Sequence, residues 1–302
     1  MERLTKIMEA LEQIRHRLDS FEDLGAIVRT MKALAAVSIR QYEQAVHSLA
    51  PYYRTVELGL HVVLRDMPLL PPAPLKKPEA LGAVVFGSDH GLCGRFNEEM
   101  VDYARERLKE AAGDGEPPRL IAVGARVASL LEAAGCTLEE IMFVPGAAAR
   151  ITVTVRQLLL KLEEWRFESG VERVYVLYNR PLKISGSRPT GIQLLPINFR
   201  HFQRLGEERW PGRTLPMFTM ERDNLLASLL RQYFFVSLFR ACAESLAAEN
   251  ASRLAAMQAA EKSLSERKEE LMGEFRRQRQ DAITAELLDV VSGYEALVET
   301  HE

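Results

Sequence analysis

The stretch that decides the fold is residues 223–298, DNLLASLLRQYFFVSLFRACAESLAAENASRLAAMQAAEKSLSERKEELMGEFRRQRQDAITAELLDVVSGYEALV, which contains no proline. Its only glycines are Gly273 and Gly293, so little would stop a helix once Asp223 or Asn224 has capped it. At 1.5 Å per residue, such a helix would be roughly 110 Å long. A helix of this length needs a partner elsewhere in the chain.

The N-terminal residues supply that partner. Residues 1–50 contain no proline and one glycine, Gly25. Apolar residues recur there at steps of three and four, the heptad signature of a helix packed against another helix: Leu4, Ile7, Leu11, Ile14, Leu18, Phe21, Val28, Met31, Leu34 and Ala35. We expect an antiparallel pair in which Leu11, Ile14 and Leu18 face the C-terminal helix. Pro51 is a candidate kink or break in the first helix.

Composition excludes several classes of protein. The chain has 302 residues, a formal net charge of -3 and three scattered cysteines without metal-ligand spacing. These values give no electrostatic case for a nucleic-acid partner and predict reduced thiols. The start of the chain is charged throughout, and no later run offers 18 uncharged apolar residues. We therefore expect no signal peptide and no direct membrane span.

The middle of the chain has a different pattern of apolar residues and prolines from the two ends. Five prolines in residues 67–78, MPLLPPAPLKKP, predict an extended connector. After it, apolar runs predict strands that alternate with amphipathic helices, which is typical of a mostly parallel sheet covered on both faces. The predicted strands are 81–86, 120–123, 141–144, 173–178 and 192–196, and the predicted helices are 97–111, 125–134 and 151–168.

The predicted fold class is α/β: a long antiparallel coiled coil of the N- and C-terminal helices with an inserted Rossmann-like α/β domain. The expected divisions are an N-terminal arm at 1–66, a connector at 67–79, the α/β domain at 80–215 and a C-terminal arm at 216–302.

The turn SDHGLCG at 88–94 lies where a strand passes to a helix, a common place for phosphate binding or a nucleophile. One hypothesis is a Cys93 nucleophile activated by His90 and oriented by Asp89. The other is a tight structural turn with Cys93 as a small buried side chain. The sequence has neither GxGxxG nor GxxxxGK[ST], so no nucleotide cofactor is expected.

The C-terminal helix carries an interrupted apolar seam, the line of side chains expected to face its partner. Its apolar members are Leu254, Met257, Leu264, Leu271, Phe275 and Ala282. Glu261, Lys268 and Gln278 interrupt it at heptad-related positions, which favours loose pairing. The basic residues at 276, 277 and 279 could meet an acidic partner, although such a run is more often a solvated face.

Motifs in order along the chain resemble those of the γ subunit of F-type ATP synthases, the central rotor stalk. They are IRHRL at 14–18, TMKALAA at 30–36, SDHGLCG at 88–94 with Asn97, Tyr178-Asn179, AENASRLAAM at 248–257, RQDAITAEL at 279–287 and VVSG at 290–293. They span nearly the whole chain. The extra residues at 1–10, Arg276 in place of a frequent asparagine, and the charged tail at 294–302 resemble a divergent bacterial branch.

The resemblance implies a noncatalytic rotor that turns within the α3β3 hexamer and couples transmembrane ion flow to ATP synthesis or hydrolysis. Its implied partners are the α, β and ε subunits and the c-ring, and its implied location is the cytoplasmic face of the inner membrane. The family's shaft positions, which meet the stator or brace the two arms, correspond to Met31, Arg253, Arg279, Gln280, Thr284 and Glu286. Two alternatives remain at this point: an enzyme using Cys93, or a coiled-coil scaffold.

Overall fold

The computed structural model describes residues 2–64, 80–113, 115–182, 186–197 and 216–299, with side chains from residue 7 to residue 291 within those ranges. The chain divides into two compact units. Unit 1 comprises residues 1–34 and 256–302, and unit 2 comprises residues 35–255. The predicted connector at 67–79 lies outside the described residues, and the four-segment division stays a prediction.

The described elements alternate between helices and strands as the sequence predicts. In chain order they are α1 (Glu2–Leu64), β1 (Ala80–Phe86), α2 (Phe96–Ala112), β2 (Arg119–Val123), α3 (Ala125–Ala133), β3 (Glu140–Met142), a 3-10 turn (Ala148–Arg150), α4 (Ile151–Glu168), β4 (Val171–Pro181), β5 (Ser187–Leu195) and α5 (Arg222–Glu299). The predicted mixed α/β class with long terminal helices is confirmed.

Two details of the long helices differ from the sequence prediction. Helix α1 runs through Pro51 without a break. Because Pro51 is exposed, water can reach the His47 carbonyl that the missing N–H leaves without its helical partner. Helix α5 begins at Arg222, so Asp223 and Asn224 lie inside its first turn rather than capping it.

The sheet lies in unit 2 and has the strand order β3-β2-β1-β4-β5. Strands β3, β2, β1 and β4 are parallel, whereas β5 pairs with β4 in the antiparallel direction. The predicted edge strand at 192–196 is confirmed, although it starts earlier, at Ser187. Because three of the four strand pairs are parallel, the carboxyl ends of β1 and β4 meet at the same edge of the sheet.

Apolar layers cover both faces of the sheet. On one face, Ala83 and Val85 of β1 pack with Met100 of α2 and Leu131 of α3. On the other face, residues of the sheet pack with Val155 and Trp165 of α4, Leu238 and Leu246 of α5, and Tyr42 of α1. The unit 2 parts of both long helices therefore belong to the same core as the sheet.

Unit 1 is an antiparallel pair formed by the first part of α1 and the last part of α5. Glu22 pairs with Lys268 and Lys32 pairs with Glu261, so rising numbers on one helix meet falling numbers on the other. Ile14, Met257 and Leu271 are buried, in agreement with the predicted seam. The prediction that Leu34 belongs to this seam is wrong, because its side chain is 63% exposed while the next residue, Ala35, is buried.

The polar interruptions of the α5 seam lie on the seam itself. Glu261, Lys268 and Gln278 are each partly buried, as expected for positions that face a partner helix. Glu261 forms an ion pair with Lys32 of α1, and Lys268 forms one with Glu22 of α1, each at an N–O distance of 2.5 Å. Glu261 and Lys268 therefore join the two helices, whereas Gln278 Oε1 is buried without a hydrogen-bond partner among the described residues.

Helix α5 is long and apolar enough to cross a membrane by length and composition. One such helix is weak evidence for a membrane span, because a core helix passes the same test. Here Leu238, Ala241 and Leu246 of α5 are buried in the core against the sheet.

Candidate functional site

The turn at 88–94 follows β1 at the carboxyl edge of the sheet and is fixed by side-chain hydrogen bonds. The Ser88 N–H donates to Asn97 Oδ1 at 3.0 Å, and Asn97 Nδ2 donates to Ser88 Oγ at 2.8 Å. Ser88 Oγ donates to the His90 carbonyl at 2.6 Å. These bonds pair polar groups that the chain buries between β1 and α2, so they hold one conformation of the turn.

The arrangement of Asp89, His90 and Cys93 argues against a nucleophilic site. The Asp89 carboxylate accepts hydrogen bonds from the N–H groups of Ala125 and Val144, so it ties the turn to the start of α3 and the segment after β3. Within the described residues, no hydrogen bond joins the His90 imidazole to Cys93, whose Sγ instead lies 3.8 Å from the His90 carbonyl oxygen.

Cys93 is a buried structural side chain. It is 1% exposed and clusters with Phe96 and Ala248, while Asn97 Nδ2 donates to its sulfur at 3.4 Å. Burial raises the pKa of the thiol, which keeps it protonated and unreactive at neutral pH. The turn hypothesis thus fits the geometry better than the nucleophile hypothesis.

Arg253, one of the predicted shaft residues, lies in unit 2 beside this turn. Its Nη2 is 2.7 Å from Glu249 Oε1 and 3.5 Å from the Gly91 carbonyl oxygen. The Arg253 side chain is 13% exposed. In the free chain it therefore braces α5 against the turn.

The other predicted shaft residues lie in unit 1. Met31 is partly buried on the α1 seam, which agrees with its expected packing against a helix. Arg279, Gln280 and Glu286 are exposed, and Thr284 Oγ1 donates to the Gln280 carbonyl at 2.9 Å. The structure thus leaves the polar groups of Arg279, Gln280 and Glu286 directed outward.

Sequence reasoning gave no role to two buried glutamates of α5. Glu249 is 5% exposed and pairs with Arg253. Glu244 is 6% exposed and accepts from Arg240 on its own helix and from Arg180 of β4, at 2.7 and 3.1 Å. The signal that could have drawn attention to them is a glutamate four residues before or after an arginine within an otherwise apolar stretch.

Comparison with known proteins places the chain in a family. A family model described as ATP synthase matches residues 10–297. The chain therefore belongs to the ATP synthase family, and it is a component of that membrane-associated complex.

Two relatives of the chain are gamma chains of ATP synthases. The chain is 30% identical to the ATP synthase gamma chain of Salinibacter ruber, over 97% of this chain and 100% of the relative. It is 28% identical to the ATP synthase gamma chain of Desulfitobacterium hafniense, over 96% and 100% of the two chains. The chain therefore belongs to the ATP synthase gamma-chain family, as its motifs predict.

Solved structures share the fold. A chain of the Euglena gracilis mitochondrial ATP synthase, from an assembly containing OSCP, F1 and the c-ring, matches with a TM-score of 0.66 at 19% identity. The match covers 96% of this chain and 95% of that one. A chain of the Tetrahymena thermophila mitochondrial central stalk and c-ring matches with a TM-score of 0.53 at 20% identity, over 78% and 99% of the two chains.

Proposed function

We propose that this chain is the central stalk, or gamma, subunit of an F-type ATP synthase, and that it rotates to couple transmembrane ion flow to ATP synthesis or hydrolysis. The main support for the proposal is the family match over residues 10–297, together with relatives that are ATP synthase gamma chains over nearly their whole length. The antiparallel helix pair and the parallel-dominated sheet agree with it.

The proposed role is noncatalytic. The turn at 88–94, the strongest candidate for chemistry, holds a protonated thiol and an aspartate already engaged by two backbone N–H groups. Among the described residues, no group of three or more His, Cys, Asp or Glu side chains is placed to hold a metal ion. The catalytic nucleotide sites would then belong to other subunits of the complex.

The proposed partners are the α and β subunits as an α3β3 hexamer, the ε subunit and the c-ring. The proposed location is the cytoplasmic face of the inner membrane. In this role the stalk acts as a ligand whose orientation biases conformational equilibria in the surrounding subunits. Coupling then requires contacts that differ between orientations of the stalk.

The shaft residues proposed for those contacts are Met31, Arg253, Arg279, Gln280, Thr284 and Glu286. The exposed guanidinium of Arg279 offers a fixed fork of donors to a carboxylate, and Gln280 and Glu286 can exchange hydrogen bonds. Arg253 belongs to the bracing members of the set, because its guanidinium already contacts α5 and the turn.

The test is to replace Arg279, Gln280, Thr284 and Glu286 together by alanine and to assay membrane vesicles for synthesis, hydrolysis and subunit stoichiometry. We expect ion-driven synthesis to fall by more than roughly tenfold, while assembly and nucleotide binding persist. A matched control replaces Glu269 and Glu270, which are also exposed on α5. Normal synthesis by an intact complex would refute the assignment of these four residues.

Two further measurements separate the stalk from the alternatives. The purified chain alone should have no ATPase activity, whereas an enzyme using Cys93 would show turnover of its own substrate. The chain should also copurify with three α and three β subunits, whereas a scaffold without a rotary role would not require that stoichiometry.

A further inference from the structure

Helix α5 packs against the turn at 88–94 through Ala248 and also carries a buried carboxylate, Glu249, close to it. Glu249 is 5% exposed, and its Oε1 binds Arg253 Nη2 at 2.7 Å. Its Oε2 is buried without a hydrogen-bond partner among the described residues. The same Arg253 nitrogen lies 3.5 Å from the Gly91 carbonyl oxygen. Burying a carboxylate is costly unless it is paired, and the partner that offsets this cost for Glu249 is Arg253.

The part of the turn that Arg253 contacts is its exposed tip, residues 90–92. Leu92 is 63% exposed and has a φ of 62°, a left-handed conformation that is unfavourable for leucine. The Ser88 Oγ bond to the His90 carbonyl holds the start of this tip, but no hydrogen bond from Ser88 or Asn97 reaches the Gly91 carbonyl. Arg253 therefore supplies a separate restraint on the tip.

We infer that Glu249 is a positioning residue that acts through Arg253: it holds the guanidinium near the Gly91 carbonyl and so fixes the tip to α5. The mechanical purpose of this restraint rests on the proposed stalk function, because a stalk must carry its surface turns with its helices. The restraint itself is a property of the free chain and is tested there.

Charge linkage gives the restraint a distinctive response to pH. Arg253 lowers the pKa of Glu249. By linkage, protonation of Glu249 must weaken the interaction between Glu249 and Arg253 by the free energy that corresponds to this lowering. Burial is the larger effect and raises the pKa of Glu249 overall. The stability that Glu249 contributes to the folded chain is therefore fully present below the pKa that Glu249 has in the unfolded chain. This stability is lost as pH rises through the pKa that Glu249 has in the folded chain. Acidification thus loosens the tip but favours the global fold.

Several other groups surround Glu249 and must be controlled. The charged or titratable groups around it are Arg253 and Cys242 of α5, Asp89, His90 and Cys93 of the turn, and Tyr42 of α1. A His90→Gln variant removes the imidazole, which is the smallest of the influences on the pKa of Glu249, and leaves the hydrogen bond between Glu249 and Arg253 in place. It should keep the pH response of the wild-type chain.

The experiment is hydrogen exchange on the full chain between pH 5 and pH 8, corrected for intrinsic rates, with peptides covering residues 88–94. Glu249→Gln should accelerate exchange at the tip by roughly tenfold at pH 8 and abolish its pH dependence. Arg253→Lys should also accelerate it, because a point charge replaces the fork of donors. The control Glu270→Gln makes the same change in an exposed pair with Arg267 and should match wild type.

Chemical denaturation at the same pH values supplies the second readout. As pH falls, the unfolding free energy of the wild type should rise relative to that of Glu249→Gln. Over the same pH range, the protection of the tip from exchange in the wild type should fall. A purely structural role would move both readouts in the same direction and overturn the inference. Unchanged tip exchange in both Glu249→Gln and Arg253→Lys would overturn it as well.

Assembly and coupling separate this inference from the proposed function. Failure of the wild-type chain to join the α, β and ε subunits would refute the stalk proposal and leave the exchange result standing. In an assembled complex, Glu249→Gln should lower the ratio of synthesis to hydrolysis, whereas Glu270→Gln should not. An unchanged ratio would overturn the mechanical purpose of the restraint.

Discussion

Gly82 of β1 shows how tightly single residues are fitted in the sheet of unit 2. A Cβ added at this position would lie 2.5 Å from Cζ3 of Trp165, and Trp165 is itself 1% exposed. We expect Gly82→Ala to destabilise the chain by about 1–3 kcal/mol, because neither the strand nor the indole has room to move. Gly146→Ala is the matched control, since nothing lies within 4 Å of its added Cβ. Equal denaturation midpoints for the two variants would contradict this packing.

Cys93 tests the structural account of the turn. Cys93→Ser places a more polar group beside Phe96 and Ala248, but the hydroxyl can still accept from Asn97. The expected loss of stability is about 1 kcal/mol, with coupled ATPase activity in the assembled complex mostly retained. Loss of all turnover in a correctly assembled complex would instead favour a catalytic role for the thiol.

At the scale of elements, the prediction that α1 and α5 bury a seam in unit 1 can be tested by mutation. The residue to change is the most buried one that the structure describes on the α1 side of this seam. Ile14 is 5% exposed, whereas the neighbouring Arg15 is exposed. Ile14→Asp should lower the unfolding free energy by about 2–4 kcal/mol, since it buries an unpaired carboxylate between two helices. Arg15→Asp should have a much smaller effect. Calorimetry that finds the same melting temperature for Ile14→Asp and wild type would exclude a buried seam.

Most elements were predictable because their own residues carry the signal. Helix α4 was predicted despite its β-branched start at Ile151, since its apolar residues recur at helical spacing up to Trp165. The start of β5 was missed because Ser187 to Gly191 have no apolar alternation. Their strand conformation comes from pairing with residues 177–181 of β4, which sequence periodicity does not reveal.

The candidate site was less predictable than the fold. The turn at 88–94 could be located from its glycines and its position after a strand. The sequence did not reveal that Asp89 binds two backbone N–H groups or that Glu249 is buried beside it. These facts depend on residues 36 to 160 positions apart in the chain, so they follow from the packing of the sheet and α5.

At the scale of the whole molecule, buried tyrosines make stability depend on alkaline pH. Burial, aided by the nearby Glu244 carboxylate, raises the pKa of Tyr178 to about 12, and Tyr178 is 2% exposed. An unfolded tyrosine loses its proton near pH 10, so the folded chain should lose stability as pH rises from about 10 to 12. Tyr178→Phe should reduce that slope in denaturation titrations, and the exposed-residue control Tyr52→Phe should not. An unaltered slope in Tyr178→Phe would contradict the burial effect.

The antiparallel order of unit 1 also determines how it would respond to force. Because residue 22 faces residue 268 and residue 32 faces residue 261, the early part of α1 and the late part of α5 share one end of the pair. Tension applied between handles at residues 9 and 286 in an optical trap would peel the helices apart in sequence, rather than shear all contacts at once. The contacts near Ile14 and Gln278 would yield first, then Glu22–Lys268, and finally Lys32–Glu261. The pair would thus open under tension in small steps, from its free end towards Lys32 and Glu261.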